Sequence, residues 1–121
     1  MAKKLKSQPV GVRSSSLTSH THAQVHSVVQ KFFAGQDNEF HCCDGARLSS
    51  VWQLAEHLRS MHQESYAYHA SDHKNDFASW LRDVHGEHAL ADRLLSAKSK
   101  EHAAKLVAGH IVNCLHDAAH R

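Results

Sequence analysis

Histidine and cysteine are the residues of this sequence with the clearest capacity for chemistry. The 121-residue chain has 14 histidines, as many as its lysines and arginines together, and three cysteines. Imidazole and thiolate are ligands that suit zinc, nickel and copper in proteins. The sequence contains neither an H-E-x-x-H nor a C-x-x-C pattern. A transition-metal site would therefore depend on which of these side chains the fold brings together.

His69 is the centre of the predicted metal site. His69 and His73 are four residues apart, a spacing that places two side chains on one helix face. His41 and Cys43 would point to the same face of a strand and could add ligands. The predicted metal ligands are therefore His41, Cys43, His69 and His73, holding Zn, Ni or Cu. The alternative is that no cofactor is needed, because 14 histidines form several such pairs by chance.

A second predicted site shares His69. Together with Lys74, Asn75 and Asp76 it forms a polar cluster where a helix is expected to begin. The N-terminus of a helix attracts anionic groups, so this cluster could bind a ligand or a partner. The structural alternative is that Asp76 offsets the helix dipole and that His69 forms a hydrogen bond with it.

Catalysis by a thiol has weaker support. Cys42 or Cys43 could act as a nucleophile if a histidine served as its base. The sequence contains no nucleophile elbow, P-loop or glycine-rich phosphate loop. We therefore predict a protein that is not an enzyme. An odd number of cysteines, two of them adjacent, does not suit a disulfide framework and favours the cytoplasm.

The charge of the chain is divided unevenly. Residues 1–36 carry five basic residues and no acidic one, whereas residues 37–121 carry nine basic and twelve acidic residues. We predict a disordered basic tail at 1–19, an amphipathic helix or linker at 20–36, and a single helical domain at 37–121. The tail could contact nucleic acid. The sequence has no run of 18 apolar residues, and we expect no membrane association.

The apolar pattern predicts a mostly α-helical fold, a small bundle of four or five helices. One short extended segment is expected near Glu39–Cys43, ahead of the turn dipeptide Asp44-Gly45. A helix is expected near 73–85, with one apolar face in the core and a glycine in the left-handed conformation at its end. The structural residues of this motif are Phe77, Trp80, Leu81, Val84 and Gly86.

The segments NDFASWLRDVHG and FHCCDG carry a resemblance to a known family. Their order and spacing resemble DUF5752, a small helical domain of unknown function found mostly in archaea. The resemblance covers about Phe40–Leu115 and implies a helical domain with these boundaries. It implies no activity.

These features lead to one functional prediction and two alternatives. We expect a cytoplasmic interaction or regulatory module that binds a protein partner or forms homo-oligomers through its helix at residues 20–33. The alternatives are a histidine-rich metal buffer or sensor, and a nucleic-acid-associated protein that uses residues 1–36. Protonation of the histidines would also change solubility or assembly between about pH 5.5 and 7.5.

Overall fold

Helices make up most of this protein, whose computed structural model describes residues 24–120. The predicted mostly helical fold with a short extended segment is confirmed. Six helices and a small sheet replace the four or five helices and single segment expected. The elements are α1 at 24–31, a 3-10 turn at Gln36–Asn38, β1 Phe40–His41, β2 Arg47–Leu48, α2 Val51–Ser60, α3 Gln63–His69, α4 Asp76–Asp83, α5 His88–Leu95 and α6 Lys100–Ala119. The predicted tail at 1–19 lies outside the described residues.

A two-stranded hairpin forms the sheet. Phe40 of β1 lies opposite Leu48 of β2 in an antiparallel register. The backbone amide of Cys42 donates to the carbonyl of Ala46 at 2.9 Å, and Gly45 adopts a φ of 98°. The strand expected over Glu39–Cys43 therefore ends at His41, and the two cysteines lie in the turn.

The largest helix contact is between α2 and α6. The hydroxyl of Ser50 caps α2 by accepting a hydrogen bond from the amide of Gln53 at 3.2 Å. At the other end of α2, the carbonyl of Arg59 accepts a hydrogen bond from the Lys100 ammonium at 3.1 Å. Phe32, which follows α1, contacts both helices through the rings of Trp52 and His110. The ring of Phe40 in the hairpin packs instead against Phe77 and Trp80 of α4.

Helix α4 begins later than the sequence pattern indicates. Its N-cap is Asn75, whose side-chain oxygen accepts from the amide of Ala78 at 3.0 Å. The amide of Ser71 donates to the carbonyl of Lys74 at 2.8 Å, and this tight turn delays the helix. The side-chain amide of Asn75 also donates to the carbonyl of Leu94 in α5, at 3.3 Å. One residue thus starts α4 and ties it to α5.

The residues expected to anchor α4 lie where its apolar pattern places them. Phe77, Trp80 and Leu81 are buried, and Val84 packs partly buried against the same core. Trp80 also donates from its indole nitrogen to the carbonyl of Asn38 at 2.8 Å. Gly86 has a φ of 67°, the left-handed conformation that reverses the chain towards α5.

The chain just after α1 is packed on the rest of the structure. Phe32 is fully buried, and its carbonyl accepts a hydrogen bond from the amide of Val51 at 3.0 Å. Lys31 forms an ion pair of 3.1 Å with the buried Glu87. Phe33 is the large apolar residue of this segment that stays 53% exposed. Part of the apolar face expected to drive self-association is therefore occupied by the protein's own core.

Candidate metal centre

The hairpin turn and the end of α3 bring three metal-binding side chains together. The sulfur atoms of Cys42 and Cys43 and a ring nitrogen of His69 all lie within 4.8 Å of one another. Zinc bonds to sulfur and nitrogen are about 2.0–2.3 Å long, so a tetrahedral ion separates its ligands by roughly 3.3–3.8 Å. The three atoms therefore lie near the separations that a bound ion would require.

His69 is held on both sides of its ring. Nδ1 lies 2.9 Å from Oδ2 of Asp76, and Nε2 lies 3.0 Å from the backbone nitrogen of Cys43. A carboxylate accepts and a backbone amide donates, so Nδ1 carries the proton and Nε2 presents its lone pair towards Cys43. His69 is 4% exposed, and the centre of its ring lies 5.0 Å from that of Phe40 and 5.3 Å from that of Phe77. Its orientation is therefore fixed before any ion arrives.

Asp76 completes a carboxylate–histidine pair. Partial burial acts to raise the pKa of Asp76, but hydrogen bonds from His69 and Lys74 outweigh it and lower that pKa below its ordinary value. The Lys74 ammonium lies 3.0 Å from the same carboxylate oxygen. Metal-binding histidines commonly donate their second ring nitrogen to a carboxylate in this way, which fixes the tautomer and makes the ligand more basic.

The two cysteines have different environments. Cys42 is buried, and burial together with the Asp44 carboxylate raises the pKa of its thiol to about 11. A metal ion would therefore have to displace the proton of Cys42 at neutral pH. Cys43 is exposed, and its thiol points to the carbonyl of Ser65 at 3.9 Å. That thiol therefore points to a backbone carbonyl and not to the ring of His69.

The structure unites two of the four predicted metal ligands. Cys43 and His69 come together, whereas His41 and His73 are exposed and belong to no metal-compatible group among residues 24–120. Strand alternation does not extend from His41 to Cys43, because the strand ends at His41. Helical spacing does not apply to His69 and His73, because α3 ends at His69.

Cys42 is the member of this three-residue group that the sequence interpretation missed. Adjacent residues of a strand point to opposite faces, which would keep Cys42 and Cys43 apart. In the turn that rule no longer holds, and both sulfur atoms approach His69. The Asp44-Gly45 dipeptide, which directly follows the cysteines, was the available sign that the turn begins this early.

The predicted anion-binding cluster satisfies its own polar groups. Asp76 accepts from both His69 and Lys74, and Asn75 uses its side-chain oxygen to cap α4. The carboxylate of Asp76 already occupies the first turn, where a bound anion would benefit from the helix dipole. The polar groups of Asp76 and Asn75 are therefore used within the protein, in contacts with His69, Lys74 and the start of α4.

Comparison with known proteins gives no further information about the chain. No family model, no curated protein and no solved structure matches it. The resemblance to DUF5752 stays a prediction that no family model supports. Among residues 24–120, every helix is too short or too polar to cross a bilayer.

Proposed function

We propose that this protein binds a transition-metal ion, zinc in particular, through Cys42, Cys43 and His69. One observation carries the proposal: two sulfur atoms and an imidazole nitrogen converge within 4.8 Å, and the imidazole is backed by the carboxylate of Asp76. Of the predicted functions, the histidine-rich metal-binding protein is the one that this geometry supports best.

The ligand set favours zinc over nickel. Two thiolates and one neutral imidazole balance the charge of a divalent ion, and zinc accepts this mixture in tetrahedral geometry. Nickel and divalent copper prefer planar arrangements of nitrogen and oxygen, which a hairpin turn beside one histidine does not offer. Monovalent copper also binds thiolates, so it is the main competitor of zinc at this site.

Binding requires one local change in the protein. The lone pair of His69 that would bind the ion now accepts the amide proton of Cys43. That hydrogen bond is partly buried, and because Cys43 is otherwise exposed, we expect water to become the new acceptor. The ion would then join the hairpin turn to the junction between α3 and α4.

The position of the site favours reversible binding. Three protein ligands leave one position of a tetrahedral zinc ion open, and Cys43 is reached from solvent. Structural zinc sites are closed by four ligands, whereas an open position admits water or a ligand from a partner. We infer a metal-responsive interaction module, which unites the two main functions predicted from the sequence.

Location and partners follow from the same proposal. We infer the cytoplasm, because free cysteines suit a reducing compartment. The proposed partner is a protein or a second copy of this chain. The nucleic-acid alternative depends on residues 1–36, most of which lie outside the described structure.

Zinc titration of the full chain tests the proposal. The readout is native mass spectrometry in the presence of a chelator that removes weakly held ions from surface histidines. We expect tight binding by the wild type, loss of the ion bound by His69 in His69→Ala, and wild-type binding in the matched control His73→Ala. Equal binding by both variants would show that surface histidines hold the metal, and no binding by the wild type would end the proposal.

A further inference from the structure

A second group of metal-binding side chains shares Cys42 with the first. The sulfur atom of Cys42, a carboxylate oxygen of Asp44 and a ring nitrogen of His57 also lie within 4.8 Å of one another. Cys42 thus lies between Cys43 and His69 on one side and Asp44 and His57 on the other. We propose that the hairpin turn holds two zinc ions bridged by the thiolate of Cys42, an inference that rests on the proposed function.

Asp44 and His57 are already held close together in the second group. Oδ2 of Asp44 lies 2.7 Å from Nε2 of His57, and Oδ1 accepts the amide proton of Ala46 at 3.0 Å. The turn therefore holds the carboxylate in place beside His57.

Access and chain geometry also suit a second ion. The side chains of Asp44 and His57 are 26% and 22% exposed, so an ion can reach them from solvent. Asp44 is fixed in the same turn as the cysteines, and His57 projects from α2. An ion between Asp44 and His57 would replace their direct hydrogen bond and keep both groups as ligands.

The negative charge of a Cys42 thiolate is a reason for that sulfur to bind two zinc ions. Cys42 is buried, and a buried thiolate without a partner is costly. Metal coordination deprotonates a thiol outright, because the ion supplies the charge that burial removes. A thiolate sulfur has more than one lone pair and can bind two ions. The three anionic ligands, Cys42, Cys43 and Asp44, then face two divalent ions across a single turn.

The number of zinc ions bound by the full chain tests this inference. Native mass spectrometry with a competing chelator should show two ions on the wild type. His57→Ala and Asp44→Asn should each retain one ion, whereas the exposed-residue controls His73→Ala and Asp72→Asn should retain two. Cys42→Ser should lose both ions, because it removes the shared ligand.

The possible results distinguish the two-ion site from the zinc site of the proposed function. One ion on the wild type, lost in His69→Ala and unchanged in His57→Ala, would overturn the two-ion site and leave the zinc centre standing. No tightly bound ion on the wild type would overturn both. Cobalt titration provides a readout that needs no variant, because the thiolate-to-cobalt absorption should change again with the second equivalent. A spectrum that is complete after one equivalent would contradict the bridged site.

Discussion

His69 and Asp76 are joined by a hydrogen bond of 2.9 Å between Nδ1 and Oδ2, and this bond decides which ring nitrogen faces the cysteines. It links the last residue of α3 to the first residue of α4. The turn between these helices therefore positions the imidazole whose Nε2 accepts the amide proton of Cys43 in the hairpin.

Replacing Asp76 by Asn should weaken zinc binding without unfolding the protein. Loss of the carboxylate behind a metal-binding histidine typically reduces metal affinity about 10- to 100-fold. The helix loses one favourable charge in its first turn, worth about 0.3–1 kcal/mol. Competition titration with a zinc indicator measures the affinity, and thermal unfolding measures the stability. Asp72→Asn, an equal change of charge at an exposed position, should match the wild type in both, and an unchanged affinity in Asp76→Asn would contradict the role of the carboxylate.

Zinc should stabilise the folded chain. A ligand that binds only the native state adds about 2.7 kcal/mol when its free concentration is 100 times the dissociation constant. The unfolding temperature should therefore rise with zinc concentration in differential scanning calorimetry. Cys42→Ser should lose most of this rise, because it removes the ligand common to both ions. A rise of equal size in Cys42→Ser would place the stabilising ion elsewhere.

Stability should fall as the pH drops through the range in which His85 titrates. Burial lowers the pKa of His85, although its hydrogen bond to the carbonyl of Lys31 and the nearby Glu87 act in the opposite direction. The unfolded chain protonates this histidine at about pH 6.5, before the folded chain does. The neutral ring therefore makes its full contribution to the free energy of unfolding above that pH. This contribution decreases as the pH falls towards the lower pKa of the folded state.

His85→Asn isolates this effect, since an amide can still donate to the carbonyl of Lys31. Denaturant unfolding at a series of pH values should show a smaller loss of stability between about pH 7 and 5 for this variant. His88→Asn, at an exposed position of α5, should keep the wild-type dependence. If the free energy of unfolding changed with pH equally in the wild type and in His85→Asn, His85 would not be the source of the pH dependence.

Asn75 should contribute through two separate hydrogen bonds. Asn75→Ala loses both the cap of α4 and the bond to Leu94 and should cost about 1–3 kcal/mol in the free energy of unfolding. Asn75→Asp keeps a capping oxygen and loses the donor to Leu94, so its loss should be smaller. Urea unfolding measures both, and an equal loss in the two variants would show that the cap contributes little.

The helical core was predictable because its signals are local. The apolar spacing of Phe77, Trp80 and Leu81 depends only on neighbouring residues, and all three side chains are buried in the structure. Helix α3 was missed because its seven residues, Gln63–His69, have no long apolar period. The partner of β1 was missed because a two-residue strand such as Arg47–Leu48 carries almost no pattern of its own.

The candidate site was only partly predictable because its geometry depends on a turn and on contacts between distant residues. His69 and Cys43 are 26 residues apart in the chain and meet through a backbone hydrogen bond that no local rule indicates. Cys42 was assigned to the opposite face because the strand was extended past His41. His57 and Asp44 were not singled out, since 14 histidines give no reason to prefer one.

X-ray absorption at the zinc edge on the zinc-loaded full chain tests the central claim most directly. The thiolate–imidazole centre predicts sulfur neighbours at about 2.3 Å together with nitrogen or oxygen at about 2.0 Å. The sulfur contribution should disappear in a Cys42→Ser, Cys43→Ser double variant. A spectrum of the wild type with only nitrogen and oxygen neighbours would show that zinc is held by surface histidines and would contradict the account.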